Sequence, residues 1–325
     1  MNNEYRARLK KFHQLREHVD ALLFFGGEQP SDYMYVSGTT AQGFLLYDFS
    51  RARLYTNAME ISRARRSSPH HAEVRQLTDV LEELRGKTVG VNYATTPAQL
   101  FQLVQRRAKT KDITNVTEAA RACKTPQEVC HIRKACNISR QSFSHTDVRT
   151  TATELTIAAD IECAMRRRGA DRAFPTIVAS GSNIQFPHHE PTLRRARRPL
   201  LIDFGARYHG YCSDITRMIG SSYTSAIEKV FAAVEELLAP NVRAAQLDAR
   251  ARDVLGHHAR HFVTSLGHGI GLDVHERPWI SSQSTDVLKT GMTFTIEPGI
   301  YVPNGIRIEN DYLITHTGFR NLTDW

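Results

Sequence analysis

The chain has 325 residues, 41% hydrophobic and 23% charged, with a net charge of +8 and a pI near 9.3. That length supports two domains and a substantial core. No apolar run approaches the roughly 20 residues of a membrane span, and the opening residues are too polar for a signal peptide, so a soluble cytoplasmic protein with no membrane partner is expected. Five cysteines form an odd set without a C-x-x-C pair, which suits free thiols in a reducing compartment. Basic runs at Arg63-Ala64-Arg65-Arg66, Arg166-Arg167-Arg168 and Arg194-Arg195-Ala196-Arg197-Arg198 raise nucleic-acid binding. None carries a recognition motif, and each falls at a predicted helix end or loop, so no specific nucleic acid is expected.

In chain order, an amphipathic helix comes first, with Leu9, Phe12, Leu15 and Val19 on one side. A strand at Ala21–Phe25 leads into a loop holding Gly26, Gly27 and Pro30. Residues 44–47 and 53–56 read as a hairpin, followed by a helix over 58–65, a strand at Thr88–Val91 and a helix over 97–107. Alternating strands and helices imply a three-layer α/β domain, carrying no evident catalytic cluster. Thr125-Pro126-Gln127-Glu128 is a capping box with proline at the first helical position, opening a helix to about His145. Thr151-Ala152-Thr153-Glu154 reads as a second box, opening a helix to about Arg168; two more helices cover 226–238 and 245–259. The expected division is an amino-terminal α/β domain over 1–118 and a second domain over 119–325.

The chemistry lies in the second domain. Asp203 sits in Leu200-Leu201-Ile202-Asp203-Phe204-Gly205, Glu297 in Phe294-Thr295-Ile296-Glu297-Pro298-Gly299, and Glu309 in Gly305-Ile306-Arg307-Ile308-Glu309. Charged groups rarely enter such apolar runs uncompensated. With Asp214 and His268 they make four carboxylates and an imidazole, a set that two divalent cations would neutralise. Oxygen-rich ligands with one nitrogen suit Mn²⁺, Fe²⁺, Co²⁺ or Zn²⁺. Asp203 and Asp214 flank one predicted hairpin and Glu297 and Glu309 another, so each would bring two carboxylates to a common centre. Arg307, two residues before Glu309, falls on the same strand face. Cys212 precedes Asp214 by two residues, which by alternation makes it a candidate oxidation-sensitive thiol.

The segment from Ser265 to Pro278, Ser-Leu-Gly-His-Gly-Ile-Gly-Leu-Asp-Val-His-Glu-Arg-Pro, resembles the signature of proline-directed metallopeptidases of the pita-bread fold, the prolidase and Xaa-Pro aminopeptidase branch. Ile202-Asp203-Phe204-Gly205 and Ser213-Asp214-Ile215-Thr216-Arg217 match its two-aspartate hairpin; the segments around Glu297 and Glu309 match its glutamate strands. The resemblance implies an α+β architecture: a small, creatinase-N-like α/β domain before a pita-bread catalytic domain. It implies a metal-dependent exopeptidase acting on a peptide or dipeptide, as a homodimer. Mn²⁺ leads among the candidate metals. Asp203 would chelate one cation, Asp214 and Glu309 would bridge the pair, and His268 and Glu297 would bind the second. The two cations would generate hydroxide near neutral pH, with Glu297 also the general base. His188 and His275 match imidazoles that contact substrate or assist the departing amine, and Arg307 would orient Glu309 or close the cleft. One position departs from the pattern: Thr264 stands where these enzymes carry a histidine lining the substrate pocket. Altered, non-proline specificity is therefore one alternative, and a non-catalytic binding protein on this fold is another.

Overall fold

A computed structural model describes residues 3–27, 31–148 and 152–325, and the chain forms two compact units, Met1–Arg121 and Ala122–Trp325. Pro30 lies outside the described residues.

The first unit is built from α1 (Asn3–Lys10), β1 (Ala21–Phe25), α2 (Ser31–Ser37), β2 (Gly43–Tyr47), β3 (Ala52–Thr56), α3 (Ile61–Ser67), β4 (Ala72–Val74), α4 (Leu77–Glu83), β5 (Thr88–Val91), α5 (Ala98–Gln105), β6 (Lys109–Asp112) and α6 (Thr114–Ala122). Its sheet has the order β4-β3-β2-β1-β5-β6. The pairs β1/β2 and β2/β3 are antiparallel, and β1/β5, β3/β4 and β5/β6 are parallel. Strand β1 is apolar along its length because it is central, with Leu22 and Leu23 fully buried. The opening amphipathic segment is not one helix: α1 ends at Lys10 and a short 3₁₀ turn covers His13–Leu15. Leu9, Phe12, Leu15 and Val19 are nonetheless all buried, and the spacing of three between Leu9, Phe12 and Leu15 serves either helix type.

The second unit begins with α7 (Pro126–Ser144) and α8 (Glu154–Arg167). The Thr125 side chain accepts from the Glu128 amide, and the Glu128 carboxylate accepts from the Thr125 amide at 2.9 Å, closing the capping box. At α8 the expectation needs correction. The capping side chain is Thr153, which accepts from the Thr156 amide, and Thr151 lies outside the described residues. Glu154, thereby placed in the first turn, turns inward and is fully buried.

Next come β7 (Asp171–Arg172), β8 (Ile177–Ser180), β9 (Leu200–Phe204), β10 (Ala206–Tyr208), β11 (Tyr211–Cys212) and β12 (Ile215–Ile219). Helices α9 (Thr224–Glu235) and α10 (Ala244–Leu255) precede β13 (Gly267–Gly269), β14 (Glu276–Ile280), β15 (Thr293–Ile296), β16 (Gly299–Ile300), β17 (Ile306–Arg307), β18 (Asn310–Ile314) and β19 (Phe319–Asn321). The sheets run β12-β9-β8, β11-β10-β7, β14-β13-β15-β18-β19 and β16-β17. Both predicted hairpins form. Strands β10 and β11 turn at His209-Gly210, both at positive φ, as a tight two-residue hairpin connection requires. Strands β16 and β17 turn through Asn304, also at positive φ.

Helices cover these sheets on apolar faces. Val230, Val234 and Leu247 of α9 and α10 pack into a cluster with Phe294, Ile296 and Ile314. Ile157, Ile161 and Met165 of α8 share another with Ile202 and Phe204. Each such fully buried side chain contributes roughly 1.5–3 kcal/mol, which makes the strands between them a rigid platform.

Candidate metal centre

Asp203 stands on β9 opposite Thr216 of β12, so this antiparallel register fixes where its carboxylate emerges. Asp214 lies in the short link between β11 and β12, its amide donating to Asp311 Oδ2 at 3.1 Å. His268 is the middle residue of β13, and the pairing with β14 shifts register between His268 and Gly269. An irregularity of that kind re-aims a side chain. Gly267 permits the close approach behind it, since a Cβ there would meet the Thr295 carbonyl oxygen. Glu297 follows β15, and Glu309 lies between β17 and β18 with its amide held by the Thr216 carbonyl at 3.2 Å.

These side chains converge. Ligand atoms of Asp214, His268 and Glu309 lie within 4.8 Å of one another. His268 Nε2 is 3.7 Å from Asp214 Oδ2 and 3.4 Å from Glu297 Oε1. Asp203 neighbours Asp214 and is paired with Arg307, whose Nη2 donates to Asp203 Oδ2 at 2.5 Å. Arg307 Nε also donates to Thr216 Oγ1 at 3.1 Å, and that hydroxyl donates to Glu309 Oε2 at 2.8 Å. Arg307 therefore grips Asp203 directly and reaches Glu309 only through Thr216.

The protein alone does not satisfy this cluster. Burial, then the charges of Glu309 and Asp203, push the Asp214 carboxyl well above the usual carboxylate range. Glu309 is raised well above it by burial and by Glu297 and Asp203. Burial pushes Glu297 up to about 8, with Arg307 opposing. Burial, and then His275, bring His268 down to about 3, so its imidazole is neutral. His268 Nδ1 faces the Gly269 carbonyl oxygen at 3.3 Å, which assigns the proton to Nδ1 and leaves the Nε2 lone pair facing the carboxylates. Asp203 Oδ1 and Asp214 Oδ1 are buried without a hydrogen-bond partner. Buried anionic oxygens and an imidazole lone pair, all pointing inward, are a donor set that divalent cations fit.

His275 packs edge-on against His268 with ring centroids 4.2 Å apart. His188 is exposed and follows Pro187, whose carbonyl oxygen accepts from Arg307 Nη1 at 3.0 Å, so its backbone is held beside the same centre. Cys212 is fully buried, its sulfur 3.8 Å from the Leu272 carbonyl oxygen, and burial pushes its thiol up to about 12. That corrects the expectation of an oxidation-sensitive residue, because the reactive species is the thiolate. Thr216 escaped the sequence reading although its position two residues after Asp214 was the available signal. Glu154 and His189, 35 residues apart in the chain, left no such signal.

Comparison with known proteins gives this geometry a setting. The pattern of metallopeptidase family M24 matches residues 130–316, and that of the creatinase/prolidase N-terminal domain matches residues 6–123. The chain belongs to metallopeptidase family M24. It is 34% identical to the Xaa-Pro dipeptidase of Pyrococcus furiosus over 320 residues, 91% of each chain. The prolidase structure from Pyrococcus furiosus superposes with a TM-score of 0.88 at 32% identity, covering 98% of this chain and 99% of that one. The X-Pro aminopeptidase structure from Thermotoga maritima gives 0.87 at 30% identity, covering 94% and 96%. The α+β architecture of an M24 enzyme, a creatinase-type amino-terminal domain before a pita-bread catalytic domain, is thus the fold of this chain. As a family M24 member it is a metal-dependent peptidase.

Proposed function

We propose that this metallopeptidase cleaves the peptide bond next to proline, as an Xaa-Pro dipeptidase or Xaa-Pro aminopeptidase. The observation carrying this reading is the convergence of Asp214, His268 and Glu309, with Glu297 3.4 Å from His268 and Asp203 paired with Arg307, in a chain similar over most of its length to an Xaa-Pro dipeptidase and an X-Pro aminopeptidase. Two divalent cations, Mn²⁺ first and Co²⁺, Fe²⁺ or Zn²⁺ as alternatives, would be held by Asp203, Asp214, His268, Glu297 and Glu309. Bound there, such ions supply acidification of a water molecule and polarisation of the scissile carbonyl.

The chain's own residues supply the rest. Glu297 takes and returns a proton at its carboxylate, as the general base. His188 and His275, beside the centre, bind the developing negative charge and assist the departing amine. Arg307, kept charged against its burial by Tyr301, Asp203 and Glu297, orients Asp203. The functional unit is proposed to be a cytoplasmic homodimer. A second reading, hydrolysis with altered specificity, is favoured by Thr264, whose hydroxyl is buried without a hydrogen-bond partner where the resembling enzymes carry a histidine.

The deciding experiment is hydrolysis of Ala-Pro, Ala-Pro-Ala and Met-Ala-Ser by chelator-stripped protein, with and without Mn²⁺ or Co²⁺. Metal-dependent cleavage of Ala-Pro alone identifies a dipeptidase, and cleavage of Ala-Pro-Ala before proline an aminopeptidase. Removal of methionine, or inactivity on both proline substrates despite bound metal, would overturn the proline reading.

A further inference from the structure

One carboxylate outside the metal centre receives an unusual number of hydrogen bonds. Glu154, fully buried in the first turn of α8, accepts at Oε1 from the Ser180 amide (2.9 Å), the Ser180 hydroxyl (2.7 Å) and Asn183 Nδ2 (3.0 Å). Its Oε2 accepts from His189 Nε2 (3.0 Å), the Thr192 amide (3.2 Å) and the Thr192 hydroxyl (2.8 Å). Burial alone would raise its pKa. The hydrogen bonds from His189, Ser180, Asn183 and Thr192 outweigh that and bring it down to about 2. The carboxylate therefore stays ionised down to about pH 2, and it clips together both ends of the segment from Ser180 to Thr192.

His188 lies within that segment. The residue before it, Pro187, accepts at its carbonyl oxygen from Arg307 Nη1 at 3.0 Å, and Arg307 is paired with Asp203. The residue after it, His189, is tied to Glu154. An exposed imidazole on an irregular segment would otherwise sample many orientations. Here its backbone is fixed from the metal centre on one side and from a buried carboxylate on the other.

We propose that Glu154 and His189 are positioning residues that hold His188 over the metal centre, an inference that rests on the catalytic reading of His188 given above. Neither touches reacting atoms; they act through the segment they clamp, as groups supporting a catalytic side chain do. His189 is the element that tests the idea cleanly, because its side chain is partly exposed and its removal leaves the five other hydrogen bonds of Glu154 in place.

The test is a double-mutant cycle on the metal-loaded enzyme with Ala-Pro, combined with hydrogen exchange of the segment 180–192. His189→Ala should lower kcat/KM about tenfold with metal content unchanged. His189→Gln, whose amide can still donate to Glu154, should recover most of that loss. In a His188→Ala background, His189→Ala should cost nothing further, because the partner it acts through is gone. Exchange in 180–192 should quicken in His189→Ala while the rest of the second unit is unchanged. Wild-type kinetics in His189→Ala, or additive losses in the double mutant, would overturn the proposal. So would unaltered exchange. A wild-type enzyme inactive on Ala-Pro would instead defeat the substrate assignment, and the exchange measurement would still decide whether the clamp exists.

Discussion

Asp214 is buried among Glu309, Asp203, Asp311 and Glu297, and the charge of each opposes ionisation of its carboxyl. Without cations, this crowding stores unfavourable energy in the folded state; with them, the same crowding is a binding site. The Asp214→Asn variant separates the two effects. Metal-free, it should melt at or above the temperature of the metal-free wild type, since a neutral amide replaces a carboxyl whose ionisation burial and its acidic neighbours oppose. The wild type should gain about 2.7 kcal/mol from Mn²⁺ at a hundred times its dissociation constant, and the variant much less. Calorimetry with and without Mn²⁺ measures both, and a full metal-induced gain in the variant would remove Asp214 from the ligand set. Arg307 extends the point. It offsets part of the charge of Asp203, so the centre contains one fixed cation of its own.

At the scale of elements, the centre depends on backbones that approach closely. Strand β13 can lie against β15 only because position 267 lacks a Cβ, so Gly267→Ala should cost about 1–3 kcal/mol and lower metal content by displacing His268. Chemical denaturation and metal analysis test the pair of effects; a stable variant with full metal content would contradict the packing argument. The segment clamped by α8 makes a prediction in pH. The unfolded chain protonates Glu154 near 4.5, whereas the fold holds it ionised down to about 2. Its contribution is therefore complete above pH 4.5 and disappears as the pH falls through about 2. His189 is the titratable side chain bonded to it. The stability difference between wild type and Glu154→Gln, from urea unfolding of metal-free protein, should shrink by about 2 kcal/mol between pH 5 and pH 3. A difference constant across that range would show that the charge of Glu154 is immaterial.

The elements also show what can be read from sequence. The Thr125 box was legible because all its partners lie within four residues. At α8 two threonines stood two residues apart, each a competent cap, and local pattern could not choose between them. The break after Lys10 was invisible because the buried residues of that stretch keep a spacing that α and 3₁₀ turns share. Strands of two residues such as β11, β16 and β17 carry too little alternation to announce themselves. The buried carboxylates were legible because ionised groups in apolar runs need a reason. The Arg307 and Thr216 bridges were not, because they join side chains about 90 or more residues apart.

Over the whole molecule, part of the positive charge is paired with local partners. Arg63 pairs with Glu60, Arg166 with Asp171 at the end of α8, and Arg252 with Asp248. No helix among the described residues is long and apolar enough to cross a membrane. The five cysteines are distributed differently: Cys130 and Cys163 are exposed, Cys123 is partly covered, and Cys136 and Cys212 are buried. Cys136 donates to Asp311 Oδ2 at 3.4 Å, the atom that also holds the Asp214 amide. The protein thus carries its own clock for opening. A thiol reagent should modify Cys130 and Cys163 at once, whereas Cys136 and Cys212 should wait for the catalytic unit to come apart, more slowly still when Mn²⁺ is bound. Mass spectrometry of labelled peptides over time reads that clock at two points behind the centre, without substrate and at the chain's own cysteines.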